Sequence, residues 1–447
     1  ANGVAFVGDP SMVRSPLFRY GKQDFENMDR TPGPKGDNFP EECVVEDCII
    51  TMTGRDEKQT SPVQISMSHK IQVVHCSIYD VPRAGINISE GTFGGHIIEH
   101  CDIFNTVLET GDHGSFNSWG RDRFWTPDVR KTVIEVSAEP ELPFLDILEP
   151  SIIRNNRFRC DHGWDIDLDD GSSQYRIYNN LLLNGGLKMR EGYDRIVTNN
   201  IIVNNSLHPH VWYAGSGDVF KGNIVFAAHR PARMEASIAP DGKWGAELDS
   251  NLFVTNHQDR VQFAINGCDE NSLVADPDFI DPENGDFRVN DNSPAFQIGF
   301  KNFPMDQFGV ISQTLKNIAK KPLIPEVSTH PDTTFVPAPT QVLISWLGAS
   351  LKEPEESELS AFGVSFETGG VALEVVPEES EAALAGFVSG DLIQSINGKS
   401  TRNMEYFRAY IHSGRETKDH LFEIIRNQAP AEIILNYPLG TVTKEIK

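Results

Sequence analysis

The stretch Gly163-Trp-Asp-Ile-Asp-Leu-Asp-Asp-Gly171 sets carboxylates at alternate positions. On a β-strand Ile166 and Leu168 face one side, and Asp165, Asp167 and Asp169 project together from the other. Carboxylates held that close repel one another and raise at least one pKa, an arrangement found at functional sites. Further on stands Gly186-Leu-Lys-Met-Arg-Glu-Gly192. Aligning Gly171 on Gly192 places Leu187 on Ile166 and Met189 on Leu168, so the core positions agree. Lys188 then falls beside Asp167, Arg190 beside Asp169 and Glu191 beside Asp170. With strands about 4.8 Å apart, Glu191 reaches Asp169 or Asp170 directly or on a diagonal. Two carboxyl groups about 5 Å apart suit a retaining glycosidase, one as nucleophile and one as acid/base. Lys188 and Arg190 would keep the nucleophile ionised. Two other readings stay open. The charges could form a cross-strand ladder of little consequence. The aspartates could also bind calcium, although no EF-hand fits: the sixth residue from Asp165 is Asp170, and the twelfth is Arg176.

Two further clusters carry groups suited to sugars. In Glu109 to Trp125, Trp119, Phe124 and Trp125 can stack on sugar faces, and His113, Arg121 and Arg123 can bond hydroxyls. In His208-Pro-His-Val-Trp-Tyr213, His208, His210 and Trp212 offer the same chemistry. Either cluster could instead be a packed loop. Three such clusters in successive repeats favour a shared groove.

The elements that position these groups form a repeat with a variable period near two dozen residues. Its mark is an apolar alternation ending in His-Cys or Asn-Asn, followed by another short strand. Examples are Ile71 to Ile78, Ile97 to Phe104, Ile152 to Phe158, Tyr175 to Leu182 and Arg195 to Ile202, with Val219 to Val225 and Leu248 to Val254 continuing the series. Each unit is too short to bury a face alone, so neighbours must stack. Alternating apolar residues point inward, and Asn side chains hydrogen-bond along the stack at the turns. A right-handed parallel β-helix fits best, with a β-sandwich as the rival. Residues 111–150 break the rhythm and read as an excursion from the coil. The segment over residues 273–300 resembles the closing segment of many secreted bacterial β-helices. Pro322, Pro325, Pro331, Pro337 and Pro339 mark a linker.

The expected organisation is mostly β: an N-terminal arm or incomplete first coils over 1–40, a right-handed parallel β-helix over 41–310, a linker over 311–340 and a small α+β PDZ-like domain over 341–447. Among 447 residues, 39 basic groups face 64 acidic ones, for a net charge of −25. That field disfavours nucleic acid and anionic membrane. No apolar run approaches the roughly 18 residues of a membrane span. Ala1 to Asp9 lacks the order of a signal peptide, and the chain is expected to be secreted or periplasmic. Cys43 and Cys48 could pair. Cys76 and Cys101, in matched His-Cys contexts, read as buried free thiols in successive repeats. No cysteine and histidine set points to zinc, and no cofactor is expected unless calcium binds.

From Leu343 the character changes. The segment Ser380-Glu-Ala-Ala-Leu-Ala-Gly-Phe-Val-Ser-Gly-Asp-Leu-Ile-Gln-Ser-Ile-Asn-Gly398 resembles a PDZ domain of the bacterial protease-associated type. The resemblance places the carboxylate-binding loop at Trp346, Leu347, Gly348 and Ala349, where a peptide C-terminus would meet backbone N–H groups and pair with an edge strand. A PDZ fold kept as a packing or dimerisation module is the alternative. Over about residues 40–300, Glu90-Gly-Thr-Phe-Gly-Gly95, Gly111 to Phe124, the Asp165–Asp170 stretch and Lys188-Met-Arg-Glu-Gly192 resemble glycoside hydrolase family 120, β-helix β-xylosidases, with family 141 a near relative. That resemblance implies an exo-acting hydrolase on oligosaccharides with an aspartate nucleophile within Asp165–Asp170, Asp169 and Asp167 sharing that role, and Glu191 as acid/base; the alternatives are a calcium-dependent polysaccharide lyase with Lys188 or Arg190 as base, and a non-catalytic glycan-binding scaffold that docks a partner through the PDZ-like domain.

Overall fold

In the computed structural model, residues 1–16, 19, 23–234, 242–327, 329, 342–365, 367–413, 419–436 and 438–446 are described. Pro331, Pro337 and Pro339 of the expected linker lie outside them. The chain divides into two compact units. One holds Ala1–Thr126, Arg130–Pro231 and Asp241–Phe335; the other holds Pro127–Val129, Ala232–Pro240 and Val336–Lys447.

The first unit is built from three parallel sheets that the chain visits in rotation. The first sheet comprises β1 (Val4–Val7), β2 (Val63–Ser68), β3 (Ile86–Thr92), β4 (Gly114–Trp119), β5 (Trp164–Asp169), β6 (Leu187–Met189) and β7 (Leu207–Pro209), adjacent in that order. The second sheet runs from Val44–Glu46 to Glu247–Asp249, and the third from Ile49–Thr51 to Leu273–Val274. A single circuit passes from β5 through Tyr175–Tyr178 and Leu181–Leu182 back to β6. Three parallel sheets traversed in this way are compatible with the expected β-helix.

The repeat has a local cause. The first residue of each Asn-Asn pair takes a left-handed conformation, with φ of 54° at Asn155, 57° at Asn179 and 57° at Asn199. Asparagine tolerates that region better than most residues, so it turns the corner. The second asparagine is buried and bonds its counterpart one circuit on. Amide links of 3.0 Å join Asn156 to Asn180, Asn180 to Asn200 and Asn200 to Asn223, and one of 3.2 Å joins Asn223 to Asn251. Cys101 N–H donates to Asn156 Oδ1 at 2.8 Å, so buried Cys101 and Cys76 occupy the same corner earlier in the stack. All six cysteines are free, which excludes the Cys43–Cys48 pairing. Inward residues stack in register, Ile86 on Phe116, Phe116 on Ile166, and Ile166 on Leu187, each at most 1% exposed. Burying each such side chain contributes roughly 1.5–3 kcal/mol.

Val4–Val7 is a strand of the first sheet. Two boundaries differ from expectation. Gly114–Trp119, expected in the excursion, is also a strand of that sheet, and the departure begins after Trp119 with a helix at Val129–Ala138. The segment after Phe279 packs Phe279, Phe287, Phe300 and Phe303 on residues of the third sheet. Beyond it Gly309 N–H donates to the His100 carbonyl at 2.7 Å and Lys320 pairs with Asp80 at 2.5 Å, so the front of the expected linker lies against that sheet.

The second unit contains an antiparallel sheet of β8 (Val342–Trp346), β9 (Ala349–Lys352), β10 (Val371–Val375), β11 (Leu392–Ile396), β12 (His420–Arg426), β13 (Ala429–Leu435) and β14 (Thr443–Ile446). Its order is β13-β12-β11-β10-β9-β8-β14. The core gathers Trp346, Phe387, Phe407 and Phe422.

Candidate active site

The register of β5 and β6 matches the sequence alignment: Ile166 faces Leu187, Asp167 faces Lys188 and Leu168 faces Met189. Asp167 and Asp169 therefore lie on the outer face of the first sheet with Lys188. Its ammonium sits 3.2 Å from Asp167 Oδ1, 3.3 Å from Asp169 Oδ1 and 3.4 Å from Asp112 Oδ1, and 4.2 Å from the Trp164 ring centre. Arg190 Nε lies 2.7 Å from Glu191 Oε2, 3.2 Å from Asp170 Oδ1 and 3.6 Å from Asp169 Oδ1. Arg121 pairs with Asp170 at 2.8 Å and reaches Glu90 at 3.7 Å. A continuous acid–base network results, and its carboxylates differ sharply in exposure. The Asp169 side chain is 18% exposed, whereas those of Asp167 and Glu191 are 0% and 1% exposed.

Their charge states diverge accordingly. Burial would raise the Asp169 carboxyl, but Lys188, Arg190 and Arg121 outweigh it and hold it down at about 2. Burial pushes Glu191 above its usual range against the pull of Arg190, with Asp170 and Asp169 adding to the rise. Asp167 rises well above the usual range, first from burial, with Lys188 opposing and Asp169 and Asp112 reinforcing. Lys188 stays firmly charged: burial opposes the charge, but Asp167, Asp169 and Asp112 favour it more.

Asp165 does not join its neighbours. It is fully buried and accepts backbone N–H from Cys160, Asn184, Gly185 and Gly186 at 2.7–3.1 Å, which fixes the turn into β6. Trp119 is opposite Asp169 and half-buried, with Arg83 and Arg121 over its ring at 5.1 and 5.6 Å. His113 is at the rim; burial, then Arg83, lower its pKa to about 3, so it is neutral. His208 faces Lys188, but Nε2 meets Asn205 Oδ1 at 2.7 Å and Nδ1 accepts from Trp164 at 3.3 Å. His210 is buried edge-on to Trp164 at 5.9 Å.

Other expected sugar contacts are structural. Trp212 is fully buried and its indole donates to the Met189 carbonyl at 2.7 Å. Arg123 is buried, with Nε 2.9 Å from Asp146 and its guanidinium on the carbonyls of Asp29 and Thr31. Phe124 is buried against Tyr193 and Tyr213, and the Trp125 indole donates to Glu191 Oε1 at 3.1 Å. Sequence reasoning passed over Arg83, Asp112 and Trp164 as members of the site. Asp112 stood beside His113 in a cluster already noticed; Arg83 had no local signal.

Buried polar atoms without a hydrogen-bond partner gather here: Asn117 Oδ1, Trp119 Nε1, both Asp167 oxygens and Asp169 Oδ1, all on β4 and β5. Native proteins rarely leave buried polar atoms unsatisfied, and such a concentration marks a place for a polar ligand or water. Among the described residues no group of acidic, histidine or cysteine side chains is arranged to hold a metal. The Lys188 ammonium already lies between Asp167 and Asp169.

In the second unit, Leu347 and Gly348, at φ of 50° and 79°, form a two-residue turn joining β8 to β9, with Trp346 paired to Ala349. Trp346 is 1% exposed and its indole donates to the Leu439 carbonyl at 2.6 Å. Strand β9, which leaves that turn, is paired on both sides, with β8 and with β10.

The comparisons with known proteins bear on this second unit. The PDZ domain family matches residues 374–432, and the chain carries a PDZ domain there. A similar solved structure is the crystal structure of the HtrA3 PDZ domain bound to a phage-derived ligand, FGRWV, at 15% identity and TM-score 0.18, covering 23% of this chain and 93% of that one. No curated protein matches the chain.

Proposed function

We propose that the first unit is a right-handed parallel β-helix acting as a retaining glycoside hydrolase, β-xylosidase-like and exo-acting on oligosaccharides derived from polysaccharide. Asp169 is the nucleophile and Glu191 the acid/base. The observation that supports this is the opposed environment of two carboxyls on one guanidinium. Asp169, the more open, is held ionised by three cations, and Glu191 is pushed toward its protonated form. Pairs driven apart in this way divide acid and base roles. In this reaction Asp169 attacks the anomeric carbon while Glu191 protonates the departing glycosidic oxygen; water then releases the sugar with Glu191 as base. Glu191 must turn away from the Trp125 indole to reach substrate.

Two other readings fit less well. A polysaccharide lyase would need Lys188 or Arg190 as base, yet both are held protonated by facing carboxylates. Calcium at the aspartates would have to displace the Lys188 ammonium. The PDZ domain favours a peptide partner, with β9 becoming available only if β8 yields its place.

The test is turnover of a panel of aryl glycosides by the native chain and Glu191→Gln. Loss of turnover on poor leaving groups, with partial retention on activated ones, is expected. Undiminished turnover by Glu191→Gln, or no turnover of any glycoside by the native chain, rejects the hydrolase. An unsaturated product absorbing in the ultraviolet would instead establish the lyase.

A further inference from the structure

Asn117 and Asp167 are cross-strand partners on β4 and β5. Both are buried, at 1% and 0% exposure. Asn117 Oδ1 and both Asp167 oxygens lack a hydrogen-bond partner. Acceptors stacked together without a well-aligned donor between them are costly, and one proton changes that arithmetic, because a protonated carboxyl is also a donor.

The surrounding charges decide where a proton would reside. The Lys188 ammonium serves Asp112, Asp167 and Asp169, within 3.4 Å of each. Its approach to Asp167 Oδ1, 3.2 Å, is close enough for attraction but lacks hydrogen-bond alignment. Asp112 and Asp169 have side chains 48% and 18% exposed, so water helps them carry charge; Asp167 has none of that help. Arg83 is the other cation nearby, and its guanidinium donates to Asn87 Oδ1 at 2.8 Å. It feels Asp167, Asp169, Asp112 and Glu90 together. His113, on the loop entering β4, is neutral. The adjoining Gly114 brings backbone over Asp167: a Cβ there would lie 2.9 Å from Asp167 Cβ.

We propose that Asp167 holds a proton in the native site and donates it to Asn117 Oδ1, as a positioning residue that leaves the Lys188 ammonium to the charge on Asp169. One O–H satisfies Asn117 Oδ1 and one Asp167 oxygen together, while the other oxygen keeps Lys188. The burial-driven rise of the Asp167 carboxyl agrees. The catalytic consequence rests on the hydrolase reading; the proton does not.

Infrared difference spectra at neutral pH test the proton without turnover. A carboxylic-acid C=O band present in the native chain is expected to vanish in Asp167→Asn. Asn117→Leu, which removes the acceptor, is expected to shift that band to higher frequency, and it serves as the readout if Asp167→Asn does not fold. No band that depends on Asp167, or a band unmoved by Asn117→Leu, overturns the proposal. The rival, an Asn117 amide turned with Nδ2 toward an ionised Asp167, predicts no such band. With turnover, Asp167→Asn is expected to leave the alkaline limb of kcat/KM, set by the Glu191 proton, where it is, because the amide replaces a group that was already neutral. A band lost with no glycoside cleaved would reject the hydrolase and uphold the proton.

Discussion

Asp169 and Glu191, from neighbouring circuits of the chain, lie against the same atom: Arg190 Nε is 3.6 Å from Asp169 Oδ1 and 2.7 Å from Glu191 Oε2. The two oxygens can be no farther apart than the sum of those contacts, which falls within reach of a single glycosidic bond. One guanidinium thus fixes the spacing of both groups and lowers the cost of charge on each.

Asp169→Asn is expected to reduce kcat on an aryl glycoside by roughly 10³-fold or more, because the nucleophile acts as a unit with its acid partner. Glu191→Gln is expected to lose about 10²–10⁴-fold on poor leaving groups. Added azide should restore turnover to Glu191→Gln and yield a glycosyl azide of retained configuration. Inverted product would rule out the covalent route.

The pH dependence follows from opposite shifts. The Asp169 carboxyl lies below its ordinary 3.8 in the folded chain, so its stabilisation is present above 3.8 and is lost as pH falls toward 2. Glu191 lies above its ordinary 4.5, so its contribution is present below 4.5 and is lost as pH rises through the elevated folded value. Melting curves across pH should show Asp169→Asn flattening the acid side and Glu191→Gln flattening the opposite side. Parallel curves for all three proteins would contradict these assignments.

Asn200→Ala is expected to destabilise the first unit by roughly 3 kcal/mol, since it orphans bonds on both sides of the ladder. Asn180 loses an acceptor for its N–H and amide, and Asn223 loses a donor. Urea unfolding measures this; a change within the error of extrapolation would mean the ladder adds little.

The two tryptophans should separate. Trp212→Ala is expected to cost about 3–5 kcal/mol of stability and leave KM unaltered in the folded fraction, as befits a filled interior position. Trp119→Ala is expected to raise KM several-fold with a small stability change. Melting temperature and KM measured on both variants check this, and a raised KM in Trp212→Ala would return that residue to the site.

The stacked circuits, the Asn corners and the pairing of Lys188 with Asp167 were legible in the sequence. The PDZ domain was legible too, through the order Ala-Gly, Gly-Asp-Leu-Ile and Ile-Asn-Gly, whose glycines and aspartate hold particular turns. Legibility failed where a side chain's role depends on what covers it. Arg123 offered a guanidinium for a sugar, but Asp146 and the carbonyls of Asp29 and Thr31 reach it from distant segments. The Trp346–Ala349 turn was found, yet the pairing of β9 on both sides was not, because it depends on β8 folding back.

Alternation and left-handed corners are properties of a few consecutive residues, so the amino-acid order alone determined the strands, their inward faces and the register that sets acids beside bases. Burial and ionisation are properties of neighbours brought from elsewhere in the chain. Only the tertiary structure decided that Asp169 stays partly exposed while Asp167 and Glu191 are enclosed, because the cost of a charge is set by the water and counter-charges around it.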